Sequence, residues 1–342
     1  MDNPILSASI SVTDRCNLNC KHCYAMNSCR KKYELKKEEI DDFSDQLFDM
    51  GCFNLQISGG EPLLINNIEE ILSDVSKKMK IYLITNGSLL NKGRIKILSK
   101  INIKSFQISL DSLNPEIYNV IRSKNVLDLV IKNINTASKM FGERFTIGTV
   151  MLKDNKNEYE KIFLFADSIN SNFTLIPLLT TGRGKLKNQD IDISEKVSAL
   201  ENIFKLDNNE KFKPVFPRAF YPEKRISDGN IYGYCSFPHI VGIMPDGNVY
   251  PCEGLRNITE LKIGNLKNEK LEDIWNKSKI ISKLTKIKPA DLKGVCKQCK
   301  HKDTCIGGCR ASAFLHYGNF NMPDPLCQKA YERGIFPKDR LL

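Results

Sequence analysis

Apolar positions in the first part of the chain switch repeatedly between short β-branched runs and a helical spacing. The run over 8–12 reads as a strand. Ile40, Phe43, Leu47 and Met50 then recur at helical intervals and end at Gly51, which suits a C-cap. A strand over 53–57 precedes a helix carrying Ile68, Ile71, Leu72, Val75 and Met79, and a strand over 80–84 precedes a short helix over 92–98. The stretch 105–110 leads into helical turns near 117–121 and a longer helix over 126–140. Strand 145–152 with helix 158–169 makes a fifth unit, and strand 173–179 with a helix around Val197, Leu200 and Ile203 makes a sixth. Six strand–helix units predict parallel strands joined by right-handed crossovers. Such a sheet carries its working loops at the C-terminal ends of its strands. Eight units would close a full barrel, so the expected fold class is α/β, a partial (β/α)6 TIM barrel over 1–208. Residues 209–233, with Pro214, Pro217 and Pro222, read as a bridging segment. Residues 234–342 read as a small cysteine-rich domain, in which 240–244 and 248–251 flank Pro245-Asp246-Gly247 as a β-hairpin.

Composition narrows the setting. The 342 residues are 41% hydrophobic, with a mean hydropathy of −0.32. No apolar run approaches the roughly 20 residues that span a bilayer, and the N-terminus lacks a basic region followed by an apolar stretch. A cytoplasmic protein without membrane attachment is expected. Twelve cysteines group at metal-ligand spacings in a chain without a signal peptide, which favours a reducing compartment over disulfides. The net charge of +11 admits a polyanionic partner. Much of the excess is scattered lysine, as at Lys36-Lys37 and Lys77-Lys78, which reads as a solvated surface, and no nucleic-acid motif accompanies it.

The chemistry concentrates first at Cys16, Cys20 and Cys23, spaced C-x3-C-x2-C just after the first strand. Soft thiolates favour iron–sulfur sites, and three of them can hold three corners of a cubane while leaving the fourth iron open. Zinc is the competing reading, but three close cysteines without a fourth partner make a poor zinc cage. His22, wedged between two of them, is badly placed to serve. Ser58-Gly59-Gly60-Glu61-Pro62 follows the second strand. Its glycines permit close backbone approach, Glu61 offers a carboxylate to a cation, and Pro62 suits a first helical turn. Thr85-Asn86-Gly87 ends the third strand, although Asn-Gly is a common turn dipeptide. Ser109-Leu110-Asp111 ends the fourth, and Asp111 could equally cap a helix. Pro177 and Thr181-Gly182-Arg183-Gly184 close the sixth and are expected to line the cavity.

The cysteine triplet, the GGEP motif and the T-N-G turn together resemble the radical SAM superfamily. That resemblance implies a [4Fe–4S] cluster on Cys16, Cys20 and Cys23 whose open iron binds S-adenosylmethionine (SAM). It implies SAM contacts at Gly59, Gly60, Glu61, Pro62, Asn86, Ser109, Asp111 and Arg122, with Glu61 meeting the ammonium, Ser109 the ribose and Arg122 the carboxylate. Further on, Cys235 and Cys252, with Gly247 five residues before the latter, precede Cys296-x2-Cys299-x5-Cys305-x3-Cys309 and finally Cys327. Taken alone this spacing also suits zinc. Beside the N-terminal motifs it resembles the SPASM domain, which implies two auxiliary [4Fe–4S] clusters. One would use Cys296, Cys299, Cys305 and Cys327, the other Cys235, Cys252 and Cys309, with its fourth position left to water, Asp228, His239 or substrate. Cys29 and Cys52 match neither motif, and Cys52, in an apolar run, reads as buried core.

The combined resemblance implies an oxidoreductase with three clusters and SAM. It would be reduced by an external donor such as flavodoxin or ferredoxin and would cleave SAM to a 5′-deoxyadenosyl radical that abstracts hydrogen from substrate. The first expectation for the substrate is a ribosomally synthesised peptide that becomes cross-linked or oxidised. The first strand begins by residue 8, which leaves no room ahead of it for a leader-binding domain and raises the alternative of a small molecule such as a sugar or cofactor precursor. Sulfatase maturation and a non-enzymatic zinc- or cluster-bearing nucleic-acid-binding protein complete the alternatives.

Overall fold

The computed structural model describes residues 4–25, 32–185, 188–227 and 237–342. Cys29, Asp228 and Cys235 therefore lie outside the described residues. The expected strand–helix alternation is present: β1 (Ser7–Ser11), α1 (Lys37–Asp49), β2 (Asn54–Ser58), α2 (Ile68–Val75), β3 (Lys80–Thr85), α3 (Lys92–Lys100) and β4 (Ile103–Ser109). Two helices, α4 (Pro115–Arg122) and α5 (Leu127–Phe141), precede β5 (Phe145–Val150), α6 (Tyr159–Ser168), β6 (Asn172–Ile176) and α7 (Ile193–Leu206). The six strands run parallel in the order β6-β5-β4-β3-β2-β1, an open, partial (β/α)6 barrel. Ile10, Leu55, Ile57, Leu83, Phe106 and Ile147 are fully buried between strands and helices, as expected of parallel strands covered by crossovers. β6 stops before the expected residue 179 because Pro177 cannot donate to a ladder.

The C-terminal part consists of α8 (Glu223–Ser227), the hairpin β7 (Ile240–Ile243) and β8 (Asn248–Tyr250), β9 (Gly264–Asn265), and five short helices. These are α9 (Leu271–Lys277), α10 (Lys279–Leu284), α11 (Lys302–Cys305), α12 (Arg310–Tyr317) and α13 (Pro325–Glu332). The hairpin expected for a separate domain is not separate from the barrel sheet. β7 lies parallel to β1, with Ser7 opposite Ile240 and Ile10 opposite Ile243, and one nine-stranded sheet runs through both parts. Val241 and Ile243 are fully buried, so β7 covers the edge that β1 would otherwise expose. At the other edge the bridging segment runs beside β6: Phe173 N–H donates to Lys211 O at 2.9 Å and Val215 N–H to Leu175 O at 2.9 Å. Pro214 falls between these bonds, a place where a missing N–H costs nothing. Trp275 is buried, in keeping with a packing role, and Leu271 N–H donates to Gln46 Oε1 at 2.7 Å, which ties α9 to α1. Among the described residues no helix is long and apolar enough to cross a membrane.

Candidate functional site

A cavity of about 660 Å³ opens at the C-terminal ends of the barrel strands. Its lining includes Cys16, Cys20, Cys23, Gly59, Gly60, Glu61, Asn86, Ser109 and Arg122. A second hollow of about 740 Å³ lies on the outer face between α3 and α5 and holds none of the candidate residues.

The cysteine loop is held from three sides. Leu18 N–H donates to Cys16 Sγ at 3.4 Å, Asn86 Nδ2 approaches the same sulfur at 3.9 Å, and Arg122 Nη1 lies 3.7 Å from Cys20 Sγ. Donors aimed at sulfur are the usual surroundings of an iron–sulfur centre, so this donor set fits the cluster that the resemblance implies. Burial raises the Cys16 thiol to about 11, with Glu61, Cys20 and Cys23 adding to the rise. Assembly of a metal centre there must therefore displace protons. Below the loop, Gly182 sits at φ 56° with no space for a Cβ against the Tyr24 carbonyl, and Arg183 N–H donates to Cys23 O at 3.0 Å. The expected cavity-lining turn is thus also a brace for the cluster loop, and Pro177 and Arg183 line the cavity.

The two glycines differ from the sequence reading in what they approach. A Cβ on Gly60 would collide with the Arg15 carbonyl. Gly60 N–H donates to Thr13 O at 2.6 Å and Glu61 N–H to Arg15 O at 2.8 Å. The neighbour that demands glycine is the chain's own backbone entering the cysteine loop. Pro62 opens the 3-10 turn Pro62–Leu64, which Glu61 caps. The Glu61 carboxylate is buried and accepts from Leu63 N–H at 3.1 Å, Thr85 Oγ1 at 2.6 Å and Asn86 N–H at 2.8 Å. A carboxylate offers about four acceptor sites, so one remains for a cation in the cavity. Burial pushes its pKa up, against the pull of those hydrogen bonds. The T-N-G turn therefore acts as the clamp on Glu61, a role that motif spacing alone did not reveal.

Asp111 departs from the expected cofactor contact. It has no exposed surface and caps no helix, since Asn114 caps α4. Its Oδ1 accepts from Val150 N–H at 3.0 Å, and its Oδ2 lies 2.6 Å from Arg122 Nε. Asp111 therefore holds the guanidinium whose other end reaches Cys20. Its Oδ2 also lies 3.7 Å from His22 Nε2, and burial keeps His22 neutral, with a pKa of about 4.

The C-terminal cysteines fall into two places. The Cys327 thiol is raised by burial and then by Asp324, Cys305, Cys296 and Cys299, so these four thiols stand together. Burial, and then Asp324, also raise the Cys309 thiol. It packs with Cys252 on a satellite cluster around Tyr250, Leu255 and Ala311, and it lines the same cavity as the N-terminal cysteines. His239 turns Nδ1 to Pro4 O at 3.0 Å. Among the described residues no three His, Cys, Asp or Glu side chains converge tightly enough for a single metal ion, whereas a cubane puts each thiolate on a different iron.

Four buried side chains escaped the sequence reading. Glu253 accepts from Ser58 Oγ at 3.0 Å, and Arg256 donates to Ser11 Oγ at 2.9 Å and pairs with Asp14 at 2.9 Å. Both come from the C-terminal part and tie it to the ends of β1 and β2. Arg310 donates to the carbonyls of Gly307, Phe320 and Met322, while Asp324 accepts from Cys309 N–H at 2.9 Å. Together they shape the Cys305–Cys309 turn.

The family model of the radical SAM superfamily matches residues 10–166, and that of an iron–sulfur cluster-binding domain, SPASM, matches 235–300. The chain is 26% identical over 337 residues to an AdoMet-dependent heme synthase of Methanosarcina barkeri, covering 92% of this chain and 94% of the relative. It is 24% identical over 348 residues to the mycofactocin maturase MftC of Mycolicibacterium smegmatis, covering 100% and 87%. In fold it resembles Streptococcus suis SuiB bound to SAM, with a TM-score of 0.75 and 20% identity over 95% of this chain and 78% of that one. It also resembles anSMEcpe with bound AdoMet, with a TM-score of 0.70 and 20% identity over 98% of each. Two family models in the expected order, over a partial barrel whose strand ends carry the matching motifs, make this chain an enzyme of the radical SAM superfamily with a SPASM iron–sulfur domain.

Proposed function

We propose that this enzyme abstracts hydrogen from a ribosomally synthesised peptide, which is thereby oxidised or cross-linked, in the cytoplasm. The observation that carries the reading is the shared cavity. Its lining includes Cys16, Cys20, Cys23 and Glu61 of the barrel together with Cys309, Ser312 and His316 of the C-terminal part. Bound there, a reduced [4Fe–4S] cluster and SAM would supply the 5′-deoxyadenosyl radical that removes the hydrogen. The chain's own residues bind and orient. Cys16, Cys20 and Cys23 hold the cluster, Glu61 takes the SAM ammonium with its remaining acceptor site, and Ser109 takes the ribose. Arg122 faces both the cluster sulfur and the cofactor end, with Asp111 fixing its direction. Gly59 and Gly60 keep the cofactor loop against the cysteine loop, and Asn86 bridges Glu61 and Cys16. Cys296, Cys299, Cys305 and Cys327 hold a second cluster, and Cys252 and Cys309, with Cys235, hold a third.

A peptide substrate draws support from a relative named as a mycofactocin maturase and from a fold neighbour, SuiB, described bound to its precursor peptide SuiA. A small molecule is the second reading. A volume near 660 Å³ suits a compact ligand, and other relatives are named as a heme synthase and a GTP 3′,8-cyclase. The test is anaerobic reconstitution with dithionite and SAM. Wild type should form 5′-deoxyadenosine, whereas Cys16→Ala/Cys20→Ala/Cys23→Ala should form none and lose about one third of its iron, four of twelve atoms. Deoxyadenosine formation by that variant would overturn the assignment. Co-expression with short peptides encoded nearby, followed by mass spectrometry for hydrogen loss, separates the two substrate classes.

A further inference from the structure

Positive charge is concentrated in one part of this chain. Eight lysines between Lys279 and Lys302 stand against a single carboxylate, Asp291, a net of +7 out of the chain's +11. The stretch contains no arginine. All eight are exposed except Lys302, which is half-buried. Elsewhere lysines are neutralised, as in the pairs of Lys37 with Asp74, Lys78 with Asp45 and Lys156 with Glu195. Among the described residues none of these eight ammonium groups has a carboxylate partner in an ion pair, and that of Lys300 donates to the backbone oxygen of Asp339. Two of the lysines mark a particular place: Lys297 and Lys300 directly follow the buried thiols of Cys296 and Cys299, which stand near Cys305 and Cys327.

We propose that this lysine-rich surface is the docking surface for an acidic one-electron carrier protein that exchanges electrons with the centre held by Cys296, Cys299, Cys305 and Cys327. Unpaired charges of one sign focus the field and speed encounter with a partner of the opposite sign. Lysine rather than arginine suits a brief, wet contact, because the ammonium keeps its hydration and offers no rigid fork. Small, weak interfaces are characteristic of electron-transfer pairs. In each encounter one electron leaves the reduced carrier and enters the centre, which oxidises the carrier by one electron and moves no atoms. A nucleic acid is the other polyanion, but α10 has only six residues, and no aromatic platform lies in the stretch to stack bases.

The inference rests on a cluster being held at those four cysteines, so binding is measured apart from SAM cleavage. Reconstituted enzyme would be titrated with flavodoxin and, separately, with a plant-type ferredoxin and a DNA duplex, by calorimetry at low and at physiological salt. Flavodoxin or ferredoxin should bind, more weakly as salt rises. Lys286→Glu/Lys293→Glu/Lys297→Glu should weaken that binding by about tenfold or more while keeping full iron content. The matched Lys92→Glu/Lys96→Glu/Lys100→Glu change on α3 should leave it unaltered. Failure of both carriers to bind, equal weakening by both triple variants, or tighter capture of DNA through the same three lysines would each overturn the proposal. Loss of SAM cleavage with carrier binding intact would count against the proposed function instead.

Discussion

At the scale of single residues, the two most informative side chains are Asp111 and Arg122. Both are almost fully buried and stand 2.6 Å apart, and Arg122 also reaches Cys20. Breaking a buried ion pair from one side leaves an uncompensated charge and typically costs about 3–5 kcal/mol, whereas removing both partners costs far less. Arg122→Met should therefore destabilise strongly in denaturant unfolding. Asp111→Asn/Arg122→Met should recover most of the loss, and the coupling reads out directly from the double-mutant cycle. Weakened SAM binding in Arg122→Met alone would then be ambiguous. Weakened binding in the re-stabilised double variant would point to direct contact by the guanidinium. An additive cycle would show that the pair carries no mutual stabilisation.

At the scale of elements, Asp192 shows how one cap links the two halves. It starts α7 by accepting from Ser194 N–H at 2.9 Å, and it pairs with Arg333 beyond the end of α13 at 2.5 Å. The Ser194 hydroxyl and N–H, and then Arg333, hold its carboxyl below the ordinary range. A carboxylate depressed in the folded state adds stability above its unfolded pKa and loses it as pH falls through the folded value. Asp192→Ala should cost about 1 kcal/mol at neutral pH. The gap to wild type should close in acid, below about pH 4, and a gap that stays constant with pH would contradict the cap. The barrel strands and their helices were legible because each is announced locally, by a two-residue or a helical period, and close spacing is likewise what marked the cysteines as candidates. Ser58 and Glu253, or Ser11 and Arg256, meet across 195 and 245 residues. No local period encodes such a pairing, so nothing in the sequence singles out Glu253 and Arg256. The same holds for Gly60, whose tight neighbour, Arg15, lies on another loop.

For the whole molecule, the continuous sheet bears on whether the expected barrel of 1–208 is a folding unit. β1 has β2 on one side and β7 on the other, and Val241, Ile243, Leu271 and Trp275 of the C-terminal part are 0–1% exposed in the same core as Ile10, Ile40 and Phe43. Burying each such side chain contributes about 1.5–3 kcal/mol, so four of them rival a typical net stability of roughly 5–15 kcal/mol. A chain cut after residue 208 would also leave β1 (Ser7–Ser11) as an unpaired edge, whose open backbone groups can recruit other chains. The fragment 1–208 should therefore aggregate, or remain without near-ultraviolet circular dichroism and without a cooperative denaturant transition. Limited proteolysis of the whole protein should not release it as a stable core. A soluble 1–208 monomer with a sharp unfolding transition would show instead that the barrel stands alone. The SPASM part would then be an accessory that merely completes the cavity wall.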